Sequence, residues 1–328
     1  MADFKCFGFI QLAFSSLALL FAVAACTPGG NSEDPVQLVT SISLDKTSLR
    51  LIIGDEVTLT VISVIPDNAS DKTFSWSSSD NAIASVDKSG KVTAKSKGNA
   101  TIQATANDGS GVFASCSVDV KNPCPSRAVD LGLSVYWATS NLSTNVFCAY
   151  PQDYGDYYAW GEIEPKAHYS WETYKLCDGS RSTLTKYNTS TSCGTVDNKT
   201  SFKDYDYDDD AARKQLLNNW RIPTDAEWTE LRENCTWTWT ADYNGTGVAG
   251  RIVTSNVDGY KDKSIFLPAA GRRVDSSVSA AGNHGYYWSS SLSTDDPVKA
   301  WNVDFSFGNV FRSGYGRSDG FSIRPVAD

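Results

Sequence analysis

The sequence predicts a mostly β protein in which a small β-sandwich precedes a larger α+β head. Three observations support this fold class. The chain has 328 residues, enough for about two domains at roughly 100–200 residues each. Short apolar–polar alternations, the pattern of half-buried strands, recur between turn sequences. Long amphipathic stretches are few, whereas 24 Gly, 10 Trp, 15 Tyr and 14 Phe favour short strands and structured loops.

The charge and composition exclude several classes of function. Acidic residues outnumber basic ones by 38 to 29, which gives a net charge of −9 and a pI near 4.8. Proteins that hold DNA or RNA by its phosphates need clustered Lys and Arg, so we expect no nucleic-acid partner. With only 2 His and 1 Met, a His-rich zinc site or a Met-rich copper site is disfavoured. We therefore expect no metal or other cofactor.

The first 25 residues read as an export signal. Lys5 precedes an apolar run over 7–25 that ends in the small residues Val-Ala-Ala, immediately before Cys26. A positive start, an apolar stretch and small residues at the end are typical of a secretory signal. A single membrane span is the alternative, but the run is short and a polar segment follows. Residues 26–38, rich in Pro, Gly and polar residues, are expected to form a flexible tether.

A Cys directly after these small residues resembles a bacterial lipobox. The resemblance implies that the Cys26 thiol is diacylated and becomes the mature N-terminus, so that the acyl chains attach the protein to the membrane. Glu33 and Asp34, just behind Cys26, resemble the acidic signal that directs lipoproteins of gut Bacteroidota to the outer face of the outer membrane. The expected location is therefore the outer membrane, exposed at the cell surface and held by a lipid anchor.

Residues 39–121 carry the pattern of the β-sandwich. The runs 57–61 (VTLTV) and 100–104 (ATIQA) alternate, and the residues from Val112 to Val120 place apolar side chains on one face at period two. Cys116 falls on this inward face and is expected to act as a small buried hydrophobe. The segments 76–80, 83–87, 90–94 and 98–102 resemble the group 2 bacterial immunoglobulin-like domain, in which Trp76 would be a core residue. Such domains mostly serve as spacers on surface proteins.

The breaker 122–126 (NPCPS) opens the head, which we assign to residues 122–328. Two helices are predicted in it. Asp208-Asp-Asp precedes 211–217, so carboxylates lie at that helix N-terminus. Thr224 and Glu227 have the spacing of a capping box for a second helix that contains 228–234.

Several strings in the head resemble the Fibrobacter succinogenes major paralogous domain: 129–135, 137–139, 153–162, 220–228, 235–239, 266–271, 285–291 and 320–326. The resemblance implies a C-type-lectin-like fold akin to that of the formylglycine-generating enzymes. The enzymes of that fold use a pair of redox-active cysteines in the C-terminal part of the domain. The last cysteine here is Cys235, so we expect no enzymatic activity.

The stretch 301–319 is the predicted ligand-binding region. Val303 and Phe305 would alternate as an inward face, while Trp301, Asp304 or Asn302, and Ser306 would project outward. Exposed aromatic and Arg side chains among small residues are typical of binding surfaces. The same position resembles the variable region of proteins diversified by retroelements. The alternative is that these residues pack a second small core. The candidate ligand-binding residues are Trp301, Asn302, Asp304, Ser306, Phe307, Phe311, Arg312, Ser313, Tyr315, Arg317, Ser318 and Asp319.

The remaining cysteines leave disulfide pairing open. Beyond the predicted signal, which contains Cys6, and besides Cys26 and Cys116, there are five, an odd number, so at least one is unpaired. Cys177 and Cys193 bracket a Ser/Thr-rich loop and are the first candidates for a disulfide, which would suit an exported protein. Cys148 with Cys235 is the other pairing considered.

The sequence thus predicts a surface lipoprotein that binds a ligand through the C-terminal face of its head. The expected partner is a glycan or a surface protein of the host, a phage or a neighbouring bacterium. The alternatives are an enzyme, of the formylglycine-generating type or acting on polysaccharide, and a structural subunit of a surface fibre.

Overall fold

A computed structural model describes residues 36–216 and 219–328 of the chain. The predicted signal over 1–25, the predicted lipidation site Cys26 and most of the tether lie outside the described residues. Within these described ranges, no helix combines the length and the apolar character that a membrane crossing requires.

The first module is a sandwich of short strands. A four-stranded sheet has the order β2-β9-β8-β5, a three-stranded sheet the order β3-β7-β6, and β1 pairs with β4. The parallel pairing of β2 with β9 is the exception among antiparallel pairs. The strands are β1 (Ser41–Leu44), β2 (Ser48–Ile52), β3 (Glu56–Thr58), β4 (Val61–Ile65), β5 (Phe74–Ser78), β6 (Ala84–Val86), β7 (Lys91–Ala94), β8 (Gly98–Ala106) and β9 (Phe113–Lys121).

Period-two patterning correctly predicts which side chains of this module are inside. Cys116, Val118 and Val120 on β9 are all buried, and Trp76 packs against the same core. The run 57–61 differs from its expectation as one continuous strand. It is divided between β3 and β4 because the Asp45 carboxylate accepts a hydrogen bond from the backbone N–H of Thr60, at 2.8 Å, and the chain crosses there between sheets.

The head combines short sheets with two helices and long ordered loops. Its helices are α1 (Ala211–Gln215) and α2 (Asp225–Asn234). Its strands are β10 (Ala128–Val129), β11 (Tyr136–Ala138), β12 (Leu142–Ser143), β13 (Val146–Phe147), β14 (Trp220–Arg221), β15 (Cys235–Thr240), β16 (Gly250–Ser255), β17 (Ser264–Pro268), β18 (Arg272–Val274), β19 (Ser277–Ser279), β20 (Gly285–Leu292), β21 (Lys299–Phe305), β22 (Val310–Gly316) and β23 (Val326–Ala327).

Both predicted helices are present and capped as expected. The Asp210 carboxylate accepts a hydrogen bond from the N–H of Arg213 at the start of α1. Thr224 and Glu227 form the reciprocal capping box of α2. Each device satisfies backbone donors that have no partner within the first helical turn, so helix positions could be predicted from local spacing.

The sheet β20-β21-β22 separates two cores of the head. Side chains alternate between the faces of a strand, and directly paired residues of neighbouring strands share a face. One face carries Tyr287, Val303 and Phe305, which pack with Trp228 and Leu231 of α2. The other face carries Tyr286, Trp288 and Ala300 at the edge of the second core, which the loops of 158–216 complete.

A central strand ties the ends of the head together. β23 lies between β11 and β14, so Val326 pairs with both Trp137 and Arg221. Beside it Arg324 is fully buried and donates hydrogen bonds to the carbonyls of Ala138 and Phe266.

The two modules contact each other around the end of β9. The Lys121 ammonium donates hydrogen bonds to the carbonyls of Leu133 and Ser134, and Arg50 also donates to Leu133. Burial lowers the pKa of Lys121. These contacts hold the modules together at the start of the head.

Candidate functional site

The open part of the β20-β21-β22 sheet brings several predicted residues together. In the strand register, Asp304 lies between Tyr286 and Phe311, and Asn302 lies between Trp288 and Ser313. Tyr315, opposite Ala300, completes the group. We call this surface the aspartate face; it is formed by Tyr286, Asn302, Asp304, Phe311, Ser313 and Tyr315.

Asp304 is a nearly buried carboxylate that lacks a cationic partner. Its residue is only 8% exposed, and in the described part of the chain no Lys, Arg or His forms an ion pair with it. Burial raises its pKa, while the Ser313 hydroxyl and the more distant charges of His284, Arg232 and Arg272 act in the opposite direction. A buried charge without a close counterion is costly in a folded protein.

Asn302 adds a second unsatisfied group to the same face. The residue is 1% exposed, and neither its Oδ1 nor its Nδ2 has a hydrogen-bond partner among the described residues. Buried side-chain amides normally have partners, and each one without them costs about 1–3 kcal/mol.

A stacked arginine borders the aspartate face. The Arg272 guanidinium carbon lies 5.0 Å from the ring centre of Tyr315 and 5.5 Å from that of Tyr286. Its Nη1 is 3.2 Å from the carboxylate of Asp319. Burial nevertheless raises the pKa of Asp319 to about 6, with the nearby charge of Asp275 acting in the same direction.

Exposed phenylalanines stand at the edge of this surface. Phe311 on β22 is 52% exposed, and Phe307, in the turn between β21 and β22, is 75% exposed. Arg251 donates hydrogen bonds to the carbonyls of Ser306 and Phe307 and thereby fixes the turn. Phe307 also lies edge-on to Trp239, so this apolar tip is held in place rather than free.

Trp301 and Arg312 belong to the opposite face of the sheet. The Arg312 guanidinium carbon lies 3.4 Å from the Trp301 ring centre, and Nε and Nη2 each approach the Asp225 carboxylate to 2.8 Å. Asp225 is the first residue of α2, so these side chains join the helix to the sheet. Period two requires this placement, because Trp301 shares its face with Val303 and Phe305.

The twelve candidate residues differ in exposure, and Trp301 lies on the inward face with Val303 and Phe305 rather than projecting outward as expected. Phe307, Phe311 and Arg312 are exposed, and Trp301, Ser306, Ser313, Tyr315 and Asp319 are half-buried. Asn302 and Asp304 are buried on the floor of the aspartate face. Arg317 and Ser318 are buried away from solvent, as the packing alternative expected.

Arg317 is a structural residue. It is 0% exposed and packs over the Trp160 ring. Its guanidinium donates to the carbonyls of Lys186, Tyr187 and Pro297 at 3.0–3.1 Å, and to the hydroxyl of Tyr174 at 2.9 Å.

Sequence reasoning missed Tyr286 and Arg272, because both come to this face through strand pairing and stacking with residues of 300–319. No local pattern around either residue marks that proximity.

The expected Cys177–Cys193 disulfide is absent, since both thiols are free in the structure. Leu184 pairs with Cys177 on one side and with Gly194 on the other. Two strand spacings separate the cysteines by about 10 Å, whereas a disulfide needs Cα atoms within about 7 Å. Cys148 and Cys235 are also free, and burial raises the pKa of each to about 11.

A cavity of about 680 Å³ lies where the modules meet. Its cationic groups are already engaged, because Arg50 and Lys121 donate to backbone carbonyls of the head. Its carboxylate, Glu230, accepts hydrogen bonds from the N–H and hydroxyl of Ser134. The cavity is therefore a joint between modules, with fewer unsatisfied groups than the aspartate face.

Comparison with known proteins identifies the class of the first module. Residues 38–115 match the family described as Bacterial Ig-like domain (group 2), which confirms the resemblance inferred from the sequence. The module is therefore an immunoglobulin-like domain of this group in a mostly β protein.

Among the relatives, an uncharacterized protein of Clostridium acetobutylicum is 46% identical over 83 residues, which are 25% of this chain and 8% of that protein. Intimin of Escherichia coli O157:H7 is 34% identical over 102 residues, 30% of this chain and 10% of intimin. The chain thus matches only a small part of the length of these relatives.

Two solved structures are similar at a low level. Domains 4 and 5 of the S-layer protein SbsC are 20% identical, with a TM-score of 0.22, over 25% of this chain and 52% of that one. An intimin mutant of E. coli O157:H7 is 17% identical, with a TM-score of 0.20, over 74% of this chain and 97% of that one.

Proposed function

We propose that this is a cell-surface lipoprotein whose immunoglobulin-like module is a spacer for a C-type-lectin-like head. The head binds a glycan or a protein of a host, a phage or a neighbouring bacterium through its aspartate face. Acyl chains on Cys26 hold the protein in the outer membrane, exposed at the surface. We further propose that the stretch 301–319, which supplies most of this face, is diversified by a retroelement.

The proposal rests on one observation: the aspartate face combines buried polar groups that lack partners with an exposed aromatic ring. Among the described residues, Asp304 has no cationic partner and the Asn302 amide has no hydrogen-bond partner, and Phe311 is exposed beside them. Unsatisfied buried groups lower stability, and such a cost is typically retained where a ligand provides the missing contacts. The exposed aromatic ring adds contact area at low entropic cost.

The proposed surface location is supported by the kinds of protein that contain modules similar to the first one. Immunoglobulin-like modules of this kind in intimin and S-layer proteins fit a role at the cell surface or in adhesion. The apolar export signal over 7–25 and the Cys26 that follows it point in the same direction.

Binding without catalysis is favoured by the state of the head's buried thiols. Nucleophilic or redox-active cysteines need a lowered pKa and access to solvent. Cys148 and Cys235 are buried, and their pKa values of about 11 keep them protonated at neutral pH.

The test uses the full chain on a glycan array and on an array of purified bacterial, host and phage surface proteins. Phe311→Ala should reduce any specific signal at least tenfold. Phe113→Ala, which removes an exposed ring of the first module, is the matched control and should leave the signal unchanged. A signal that survives Phe311→Ala and Tyr315→Ala unaltered would place the binding surface elsewhere.

The anchor has a separate test. Cells that express the full chain are labelled with an alkyne analogue of palmitate. The membrane-bound protein should carry the label, and Cys26→Ala should remove it. Labelling that persists in the variant would contradict lipidation at this residue.

A further inference from the structure

We infer that the aspartate face accepts a basic side chain, Lys or Arg, from a protein partner, and that the incoming cation lies against Asp304 between Tyr286 and Phe311. This inference rests on the proposed binding function and names the chemistry of the ligand. It excludes a neutral glycan as the group that Asp304 recognises.

The distribution of charge on the β20-β21-β22 sheet carries the first step. Two arginines beside it already have carboxylate partners: Arg272 of β18 pairs with Asp319, and Arg312, on the opposite face of the sheet, pairs with Asp225. Asp304 has no such partner in the part of the chain that the structure describes, so one negative charge is left over on this face. A ligand cation would supply the missing counterion.

The aromatic neighbours carry the second step. Directly paired residues on adjacent strands have Cβ atoms about 4.5–5.5 Å apart, which places the rings of Tyr286 and Phe311 on either side of the Asp304 carboxylate. A cation between them is attracted by the ring faces as well as by the carboxylate. The head uses the same chemistry internally, with Arg272 over Tyr286 and Arg312 over Trp301.

Asn302 is the third element. Two residues before Asp304 on the same strand, it places an amide without partners on the same face of the sheet. A Lys or Arg head group has three or five N–H donors, more than one carboxylate satisfies. The Asn302 carbonyl, directly or through a water, provides an acceptor for the remaining donors.

Charge complementarity favours a protein over a glycan. Neutral sugars carry no cation, and acidic sugars would meet both Asp304 and the chain's net charge of −9. A basic patch on a protein is attracted by the same charges, both during encounter and in the complex.

The probe is N-acetyl-lysine amide, with N-acetyl-glutamine amide as its neutral counterpart. Ligand-observed NMR with the full chain should detect millimolar binding of the lysine probe and at least tenfold weaker binding of the glutamine probe. Asp304→Asn should weaken the lysine probe at least tenfold. Asp296→Asn removes a half-buried carboxylate that is paired with Lys299, and as matched control it should leave lysine binding unchanged.

The melting temperature distinguishes a loss of binding from a loss of folding in Asp304→Asn. Removal of a buried charge without a counterion should leave the melting temperature of Asp304→Asn equal to or above that of the wild type. Weaker binding by a variant that is at least as stable supports the inference. Unchanged lysine binding in Asp304→Asn overturns it, as does equal binding of the two probes.

The arrays separate this inference from the proposed function. If an array signal is lost in Phe311→Ala but kept in Asp304→Asn, the face binds ligands and the basic side chain is ruled out. If Asp304→Asn and Phe311→Ala both abolish binding to a protein whose own Lys or Arg substitution has the same effect, both proposals are supported.

Discussion

A substitution of Arg317 distinguishes a structural role from a binding role, because the sequence favours a surface contact whereas the structure buries the residue. Arg317→Met keeps much of the side-chain volume but removes every donor. The carbonyls of Lys186, Tyr187 and Pro297 would then lose their guanidinium partner inside the head. At about 1–1.5 kcal/mol for each, the free energy of unfolding should fall by about 4 kcal/mol.

The matched substitution is Arg312→Met, the same chemical change at an exposed position. Its ion pair with Asp225 and its contact with Trp301 are partly in solvent, so a loss of about 1 kcal/mol or less is expected. For a head of about 200 residues, these losses correspond to about 8–16 °C for Arg317→Met and at most about 4 °C for Arg312→Met.

Tryptophan fluorescence during thermal and urea unfolding is the appropriate assay, because nine of the ten Trp lie in the head and only Trp76 lies in the first module. The transition therefore reports the domain that contains Arg317. If the free energy of unfolding of Arg317→Met fell by less than about 1 kcal/mol while ligand binding was lost, the structural role would be refuted. Arg317 would then be a ligand contact.

Three further outcomes are expected. Burial raises the pKa of Asp319 to about 6, so the native state binds its proton more tightly than the unfolded chain; Asp319→Asn should be more stable than the wild type at pH 7.5, and the gap should close as urea titrations move from pH 6 to pH 4. Gly285→Ala would place a Cβ 2.2 Å from the Phe305 ring and should cost about 1–3 kcal/mol in the same assay, whereas Gly308→Ala, with open space around it, should cost less than about 0.5 kcal/mol. Lys121→Met should speed proteolysis within 122–126, since the carbonyls that Lys121 engages would lose their donor; an unchanged cleavage rate would contradict a role in the joint.

Features that depend on short-range spacing could be predicted from the sequence. The caps of both helices need only a donor and an acceptor three residues apart, as at Thr224 and Glu227. The inward face of β9 follows from strict alternation, which places Cys116 in the core. The immunoglobulin-like module was identified from such strings because its strands pair mainly within about 80 residues.

The residue types of the proposed binding surface can be read from the sequence, but the side of the sheet on which each residue lies could not be predicted. Trp301, Arg312 and Phe311 all fit a contact surface by residue type, yet the register of β21 places the first two towards α2 and Phe311 on the opposite face. The burial of Arg317 depends on carbonyls about 130 residues earlier in the chain. No local pattern reveals acceptors at that separation.

The position of β23 has a consequence for the order in which the protein matures. Val326 and Ala327 fill the gap between strands whose residues lie more than 100 positions earlier, so the sheet β10-β11-β23-β14 cannot close until that segment has joined it. All strands of the immunoglobulin-like module lie before residue 122, so its sheets can close without any segment from the carboxyl end. During synthesis from the amino end, the immunoglobulin-like module can therefore complete its strands before the head does, and a nascent fragment that ends before Val326 leaves the head's sheet without its central strand.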